Sequence, residues 1–173
     1  MYKKHQSRVR KFMANKSFIF FTGLLSLSII SNAYSINTVV YIVNLIPPNH
    51  PHYSKKGYTV INDGKSHCVA SVNPKSYTAI YGGSSGQHIR INYRTTGDCA
   101  HREFNSARFE VRNNDTNNTA GVFHCMWSVP QGGPQIYIIN NPGNFMVEAT
   151  GKMNKPDKLN LKCSNNNLED NSE

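Results

Sequence analysis

The sequence predicts an all-β, single-domain β-sandwich, or a partly closed barrel, built of short antiparallel strands with two disulfides and preceded by a signal peptide. Three observations predict it. From Ile36 onward, roughly eight to ten short extended segments alternate with turn residues. No stretch in that region shows sustained helical periodicity with caps. All four cysteines, Cys68, Cys99, Cys125 and Cys163, lie there as well, an even count that reads as a disulfide framework in an exported chain.

The leader comes first. Lys3, Lys4, Arg8, Arg10, Lys11 and Lys16 precede an apolar run from Phe18 to Ile30, and Ser31-Asn32-Ala33 then offers small residues of the kind a signal peptidase reads. Residues 1–33 are therefore expected to be a signal peptide, cleaved after Ala33, with Ser35 the second choice. The competing expectation is an uncleaved anchor, since no Asp, Glu, Lys or Arg occurs between Lys16 and Lys55. Polar residues from Ser31 to Asn37 nevertheless divide the apolar stretch into parts shorter than the roughly 20 residues of a membrane-spanning helix. The expected location is secreted or periplasmic, with membrane anchoring as the alternative.

Removing the leader removes six of 19 basic residues and none of the 10 acidic ones, leaving 13 minus 10, or +3. Most of the basic excess thus belongs to the targeting segment, and nucleic-acid binding is not expected. About 138 residues remain after residue 35, enough for one domain with a core. The domain is read as 36–163, with 164–173 a disordered polar tail.

The first strand is Ile36 to Ile46, a nearly continuous β-branched run that reads as buried. Pro47, Pro48 and Pro51 end it, and a loop runs to Gly57. Tyr58 to Ile61 is a short strand before the turn Asn62-Asp63-Gly64. His67 to Val72 extends again with Cys68, Ala70 and Val72 on one face, until Asn73-Pro74. Tyr77–Tyr81 and Gln87–Thr95 flank Gly82-Gly83-Ser84-Ser85-Gly86, and the pattern predicts a hairpin with a longer loop. Ile89, Ile91 and Tyr93 face inward there, opposite Arg90, Asn92 and Arg94. Ala107, Phe109 and Val111 repeat the pattern, opposite Arg108, Glu110 and Arg112. Asn113 to Thr119 reads as a surface loop.

The segment from Gly121 to Asn140 is the expected structural centre. Phe123, Cys125, Trp127 and Val129 share one face, with Trp127 as core filler, and Val122, His124, Met126 and Ser128 share the other. Pro130-Gln131-Gly132-Gly133-Pro134 breaks the ladder before Gln135 to Ile139 resumes it. Phe145 to Thr150 and Leu159 to Cys163 are the last strands. Four cysteines allow three pairings; the favoured one joins Cys68 to Cys99 and Cys125 to Cys163.

Candidate chemistry is sparse. Gly82-Gly83-Ser84-Ser85-Gly86 has the spacing of a nucleophile elbow, but a strand-like segment follows it instead of a helix. His50-Pro51-His52, His67 beside Cys68 and His124 beside Cys125 raise a metal reading. Neighbouring strand residues point to opposite faces, and disulfides consume the thiolates, so no metal site and no cofactor are expected. Several acidic residues lie in turns, beside arginines or in the tail, and Glu103 and Glu148 make no glycosidase pair.

Arg90 and Arg94 on one strand and Arg108 and Arg112 on another suggest an exposed stripe suited to phosphate, sulfate or carboxylate groups. Tyr53, Tyr58, Tyr77 and Tyr81 lie near loops or strand ends, where a ring with a polar tip can stack on a sugar or sit at a membrane interface. The order of an apolar first strand, a Gly-rich loop and a late hairpin carrying Cys125-Met126-Trp127 resembles the architecture of small secreted lipid-binding β-sandwiches of the aegerolysin and actinoporin-like kind. The resemblance implies a sandwich fold and surface binding, and no residue role is taken from it.

The expected function is a non-catalytic exported module that binds a glycan, a lipid headgroup or a protein at a cell surface. The alternatives are a small secreted enzyme, for which Ser84, His88, Asp98 and His101 are the first places to look, and an envelope component held by its N-terminal anchor.

Overall fold

The computed structural model describes residues 36–84, 86–99, 104–128 and 133–165. The predicted leader over 1–33, Ser85, His101, Glu103, the turn residues from Val129 to Gly132 and the tail beyond residue 165 lie outside the described residues.

Alternation of apolar and polar residues produces ten strands: β1 (Ile36–Asn44), β2 (Tyr58–Asn62), β3 (Val69–Asn73), β4 (Ser76–Ala79), β5 (Gln87–Tyr93), β6 (Phe104–Asn113), β7 (Thr119–Ser128), β8 (Gly133–Asn140), β9 (Met146–Glu148) and β10 (Leu159–Asn165). They form two five-stranded sheets packed face to face, ordered β3-β5-β1-β10-β9 and β4-β2-β6-β7-β8. The predicted all-β sandwich is therefore the fold, and all strand pairs are antiparallel except β9 with β10. Helical structure among the described residues is confined to two three-residue 3₁₀ turns, Gly97–Cys99 and Pro142–Asn144.

Inward residues of the two sheets meet in one core. Val40 and Ile42 of β1, Ile89, Ile91 and Tyr93 of β5, Ala107, Phe109 and Val111 of β6, and Phe123 and Cys125 of β7 are all buried in it. The rings of Phe109 and Phe123, directly paired across β6 and β7, stack with centroids 5.1 Å apart. Tyr93 is buried too, and its hydroxyl donates to the Cys125 carbonyl at 2.7 Å. That bond meets the rule that a buried polar group needs a partner.

Both predicted disulfides are present. Cys68–Cys99 ties the approach to β3 to the 3₁₀ turn after β5, and Cys125–Cys163 crosses from β7 in one sheet to β10 in the other. Two such bridges fit a protein that matures in an oxidising compartment.

Five details differ from the sequence reading. β4 does not form a hairpin with β5: it pairs with β2 in the second sheet, whereas β5 pairs with β1 and β3 in the first. The glycine-serine segment thus crosses between sheets. In β3, Val69 pairs with Tyr93 and Ser71 with Asn92, leaving Ala70 as an extra residue. This bulge turns Val69 and Val72 toward the core and leaves Ala70 exposed. Gly133 and Pro134 belong to β8 instead of the turn; β8 is an edge strand, where a missing N–H costs little. β9 is shorter than the predicted Phe145–Thr150, and β10 continues past Cys163 to Asn165. Trp127 is half-buried and packs at the margin of the core, not at its centre.

Candidate functional site

The end of the sandwich where β1 and β4 finish is built by side chains that hold three loops together. Asn44, the last residue of β1, is buried; its amide donates to the Ala79 carbonyl at 3.3 Å and its Oδ1 accepts the Ile46 N–H at 3.1 Å. Asn44 also bridges Tyr81, and the Gly82 N–H donates to the Asn44 carbonyl at 3.0 Å. On the other side, the Leu45 N–H donates to the Lys158 carbonyl at 2.9 Å. Buried Asn160 accepts the Lys155 N–H at 3.0 Å and donates to the Lys155 and Lys158 carbonyls at 2.9 and 3.2 Å. A single amide thereby shapes the loop before β10.

Between these segments lies a cleft of about 360 Å³, lined by Leu45, Pro47, Tyr81, Gly82, Asn154, Pro156 and Asp157. Tyr81 is 47% exposed, a large amount for a ring in a folded domain, and its edge is set against Tyr53 with centroids 6.5 Å apart. Asp157 holds a left-handed backbone, φ 57°, a conformation uncommon for a residue with a side chain. Its lining therefore combines an aromatic residue, the apolar residues Leu45, Pro47 and Pro156, and the polar residues Asn154 and Asp157. Such a combination orients a small polar ligand with an apolar face.

The neighbouring loop is fastened by Asp115 at the β6–β7 turn. Its carboxylate accepts the Lys55 N–H at 2.5 Å, the Ser54 hydroxyl at 3.1 Å and the Lys56 N–H at 3.3 Å. Desolvation opposes ionisation of Asp115, but the bonds from Lys55, Ser54 and Lys56 outweigh it and lower its pKa. Within that loop, Gly57 has φ 78°, and a Cβ there would lie 2.5 Å from the Ala79 carbonyl oxygen. Only glycine fits both constraints.

The four arginines do not come together. Arg90 lies on the outer face of the first sheet and Arg94 just beyond the end of β5; Arg108 and Arg112 lie on the outer face of the second sheet. The predicted single stripe is thus split between opposite sides of the sandwich. Arg108 forms an ion pair with Asp63, and Arg112 lies 3.3 Å from Glu110. Glu110 also accepts the Thr119 hydroxyl at 2.6 Å, and that bond first, then Arg112 and Arg108, overcome partial burial to lower its pKa.

Of the residues named for hydrolysis, the described ones, Ser84, His88 and Asp98, are not joined as a triad. His88 Nε2 is bonded to the Ser84 carbonyl at 3.1 Å, and its ring stacks on Tyr77 at 3.7 Å. Among the described residues no hydrogen bond joins the Ser84 hydroxyl to a histidine, and Asp98 lies in the 3₁₀ turn beside the Cys68–Cys99 bridge. His50 Nδ1 accepts the His52 N–H at 3.1 Å, and the His52 ring packs on Phe145. No group of three His, Cys, Asp or Glu side chains that could hold a metal ion occurs among the described residues.

Two histidines give the fold a pH dependence. His124 on β7 has its pKa lowered by burial first and by Arg108 second, and His88 is lowered by burial, against opposing backbone bonds at Ser84 and Ile42. Unfolding releases both, so below the ordinary value of 6.5 the unfolded chain binds more protons than the folded one. Their contribution is complete above that value and is lost as pH falls through the lowered folded pKa values. The melting temperature is expected to drop between about pH 7.5 and pH 5.5, and His124→Gln to flatten the drop; a flat wild-type profile counts against it.

The sequence reading singled out Tyr81 and Tyr53 as possible stacking residues but missed Asn154, Pro156 and Asp157. Those three sit in an ordinary-looking polar loop more than 70 positions from Tyr81 in the chain. No family model, curated protein or solved structure matches this chain.

Proposed function

We propose that the chain is an exported, non-catalytic β-sandwich module that binds carbohydrate at the Tyr81 cleft. The observation that carries this reading is the half-exposed Tyr81 ring in a cleft lined also by Leu45, Pro47 and Pro156 and by the polar residues Asn154 and Asp157. A pyranose presents C–H groups on one face and hydroxyls on its edge. The tyrosine would cover the first, while the amide and carboxylate bond to the second. Export is supported by the basic and apolar leader and by two disulfides. Among the three ligand classes expected from sequence, anionic headgroups gain less support, because Asp63 and Glu110 already accompany Arg108 and Arg112.

The test is a glycan array followed by calorimetric titration of the glycans that bind. Tyr81→Ala is expected to weaken binding at least about tenfold, equivalent to about 1.4 kcal/mol, with unchanged melting. Arg90→Ala combined with Arg108→Ala should leave it intact. Failure to bind any glycan overturns the proposal. Loss of binding in the arginine pair alone, measured on anionic liposomes, would instead favour an anionic surface.

A further inference from the structure

Five of the eight lysines from Ile36 onward belong to the loops that frame the Tyr81 cleft. We infer that the carbohydrate bound there is an acidic chain, with one sugar ring packed on Tyr81 and the carboxylate, sulfate or phosphate groups of neighbouring sugars over a lysine rim. The inference deepens the carbohydrate reading of the cleft and rests on it.

Lys55 and Lys56 stand in the loop that follows Pro47, their N–H groups held by Asp115. Gly57, the next residue, lies against the end of β4: a Cβ there would be 3.1 Å from the Cα of Ile80, the neighbour of Tyr81. On the other wall, Lys155 sits between the lining residues Asn154 and Pro156, Lys158 directly follows Asp157, and Lys152 precedes them in the same loop. Lys55, Lys56, Lys152 and Lys155 are exposed, whereas the Lys158 ammonium donates to the Asn144 carbonyl at 2.5 Å. Among the described residues the ion pairs are Arg108 with Asp63 and Arg112 with Glu110, so none of the five lysines is held in one.

In these loops and the adjoining β6–β7 turn, only Asp115 and Asp157 oppose the five lysines, which leaves a net charge of +3. The other eight basic and eight acidic residues from Ile36 onward cancel. The excess charge of the domain therefore belongs to the loops around the cleft. Like charges around a concave, low-dielectric wall focus their field and raise the local concentration of ligands of opposite sign. An anion arriving there breaks no existing ion pair, in contrast to one arriving at Arg108 or Arg112.

Asp157 sets where the acid groups go. Its carboxylate lines the cleft itself and repels an anion seated against Tyr81, but it accepts hydrogen bonds from sugar hydroxyls. The ring on Tyr81 therefore presents hydroxyls to Asp157, and the charged substituents lie further along the chain, over Lys155 on one wall and Lys55 and Lys56 on the other. A compact anion such as free phosphate cannot satisfy both halves of this arrangement; an oligosaccharide with acid groups spaced along it can. Lysine acts on such groups as a mobile point charge, without the fixed bidentate geometry of arginine, so affinity should depend strongly on salt.

The experiment is an array that carries uronic-acid, sialylated, sulfated and phosphorylated glycans beside neutral ones, followed by titration of the best acidic glycan and its neutralised counterpart, desulfated or carboxyl-reduced. Hits are expected among the acidic glycans, with affinity at least about tenfold above the neutral counterpart and falling about tenfold between about 50 and about 300 mM NaCl. Lys56→Gln with Lys155→Gln should weaken acidic binding at least about tenfold with unchanged melting. Lys65→Gln with Lys75→Gln removes the same charge from the far ends of β2 and β4 and should bind like wild type. Should the first pair melt lower, the salt dependence and the acidic-to-neutral ratio of the wild type decide in its place. Equal binding of the neutral counterpart overturns the inference and leaves the carbohydrate reading standing, whereas no glycan binding at all overturns both. An equal loss in the Lys65 and Lys75 pair overturns it as well, because the attraction is then to net charge. So does binding to phosphatidylglycerol vesicles through Lys56 and Lys155 with no acidic glycan bound, which assigns this end to a lipid surface.

Discussion

Replacing Cys125 and Cys163 together by alanine is expected to cost about 4 kcal/mol, against a total stability of about 5–15 kcal/mol for a domain of ordinary size. The bridge closes a segment with a sequence separation of 38, and the loss of unfolded-chain entropy for such a loop accounts for most of that figure. Its position adds to the cost. Cys125 is fully buried and belongs to the core cluster that joins the two sheets. Removing its sulfur leaves a void beside residues that cannot fully collapse into it. The other bridge, with a separation of 31, has nearly the same entropic value, but neither Cys68 nor Cys99 is buried. Urea denaturation of the two double variants therefore separates the contributions. The loss should be larger for Cys125→Ala with Cys163→Ala than for Cys68→Ala with Cys99→Ala. Equal losses would mean that the core is indifferent to the sulfur at position 125.

The same bridge shows which parts of the fold were legible in the sequence. Cysteine count and the leader pointed to an oxidising compartment, and the sequential pairing was the favoured one of three. Strand alternation was equally direct where it ran unbroken: Ile89, Ile91 and Tyr93, then Ala107, Phe109 and Val111, are buried as their spacing demanded. What period-two patterning leaves open is the sheet to which a strand belongs. β5 and β6 follow one another with the same inside-outside pattern, yet they lie in different sheets. Outward arginines on the two strands therefore point away from each other, and no local signal distinguishes this from a shared stripe. A bulge at Ala70 had no glycine or proline to announce it, and it put Val69 in place of Ala70 beside Val72 on the inward side of β3.

The cleft was less legible for a related reason. Its walls come from the end of β1, the segment after β4 and the loop before β10, brought together by hydrogen bonds of Asn44 and Asn160. Buried asparagines that organise loops look in sequence like any other asparagine. This chain is rich in them, so composition offers no way to pick out the two that matter. Tyr81 was noticed because an aromatic at a strand end has few duties there. Its polar companions acquire meaning only once the loops meet.

Phe109→Ala is expected to destabilise the fold by about 3–5 kcal/mol, well beyond the effect of Trp127→Ala. A lone tryptophan beside a cysteine draws the eye as the natural centre of the core, but geometry assigns that place to the phenylalanine pair. Phe109 and Phe123 are fully buried, directly paired across β6 and β7, and stacked at an interplanar angle of 18°. Truncation of Phe109 removes that aromatic contact as well as its buried area. It also opens a void between the central strand of the second sheet and the core residues of the first. Trp127 sits near the end of β7 with part of its surface already in contact with water, so its loss forfeits less burial and leaves a space that solvent can enter. Denaturant titration of the two variants decides the matter. If Trp127→Ala proves as costly as Phe109→Ala, the core is centred on the margin of β7 instead of the β6–β7 contact, and the packing described above is wrong.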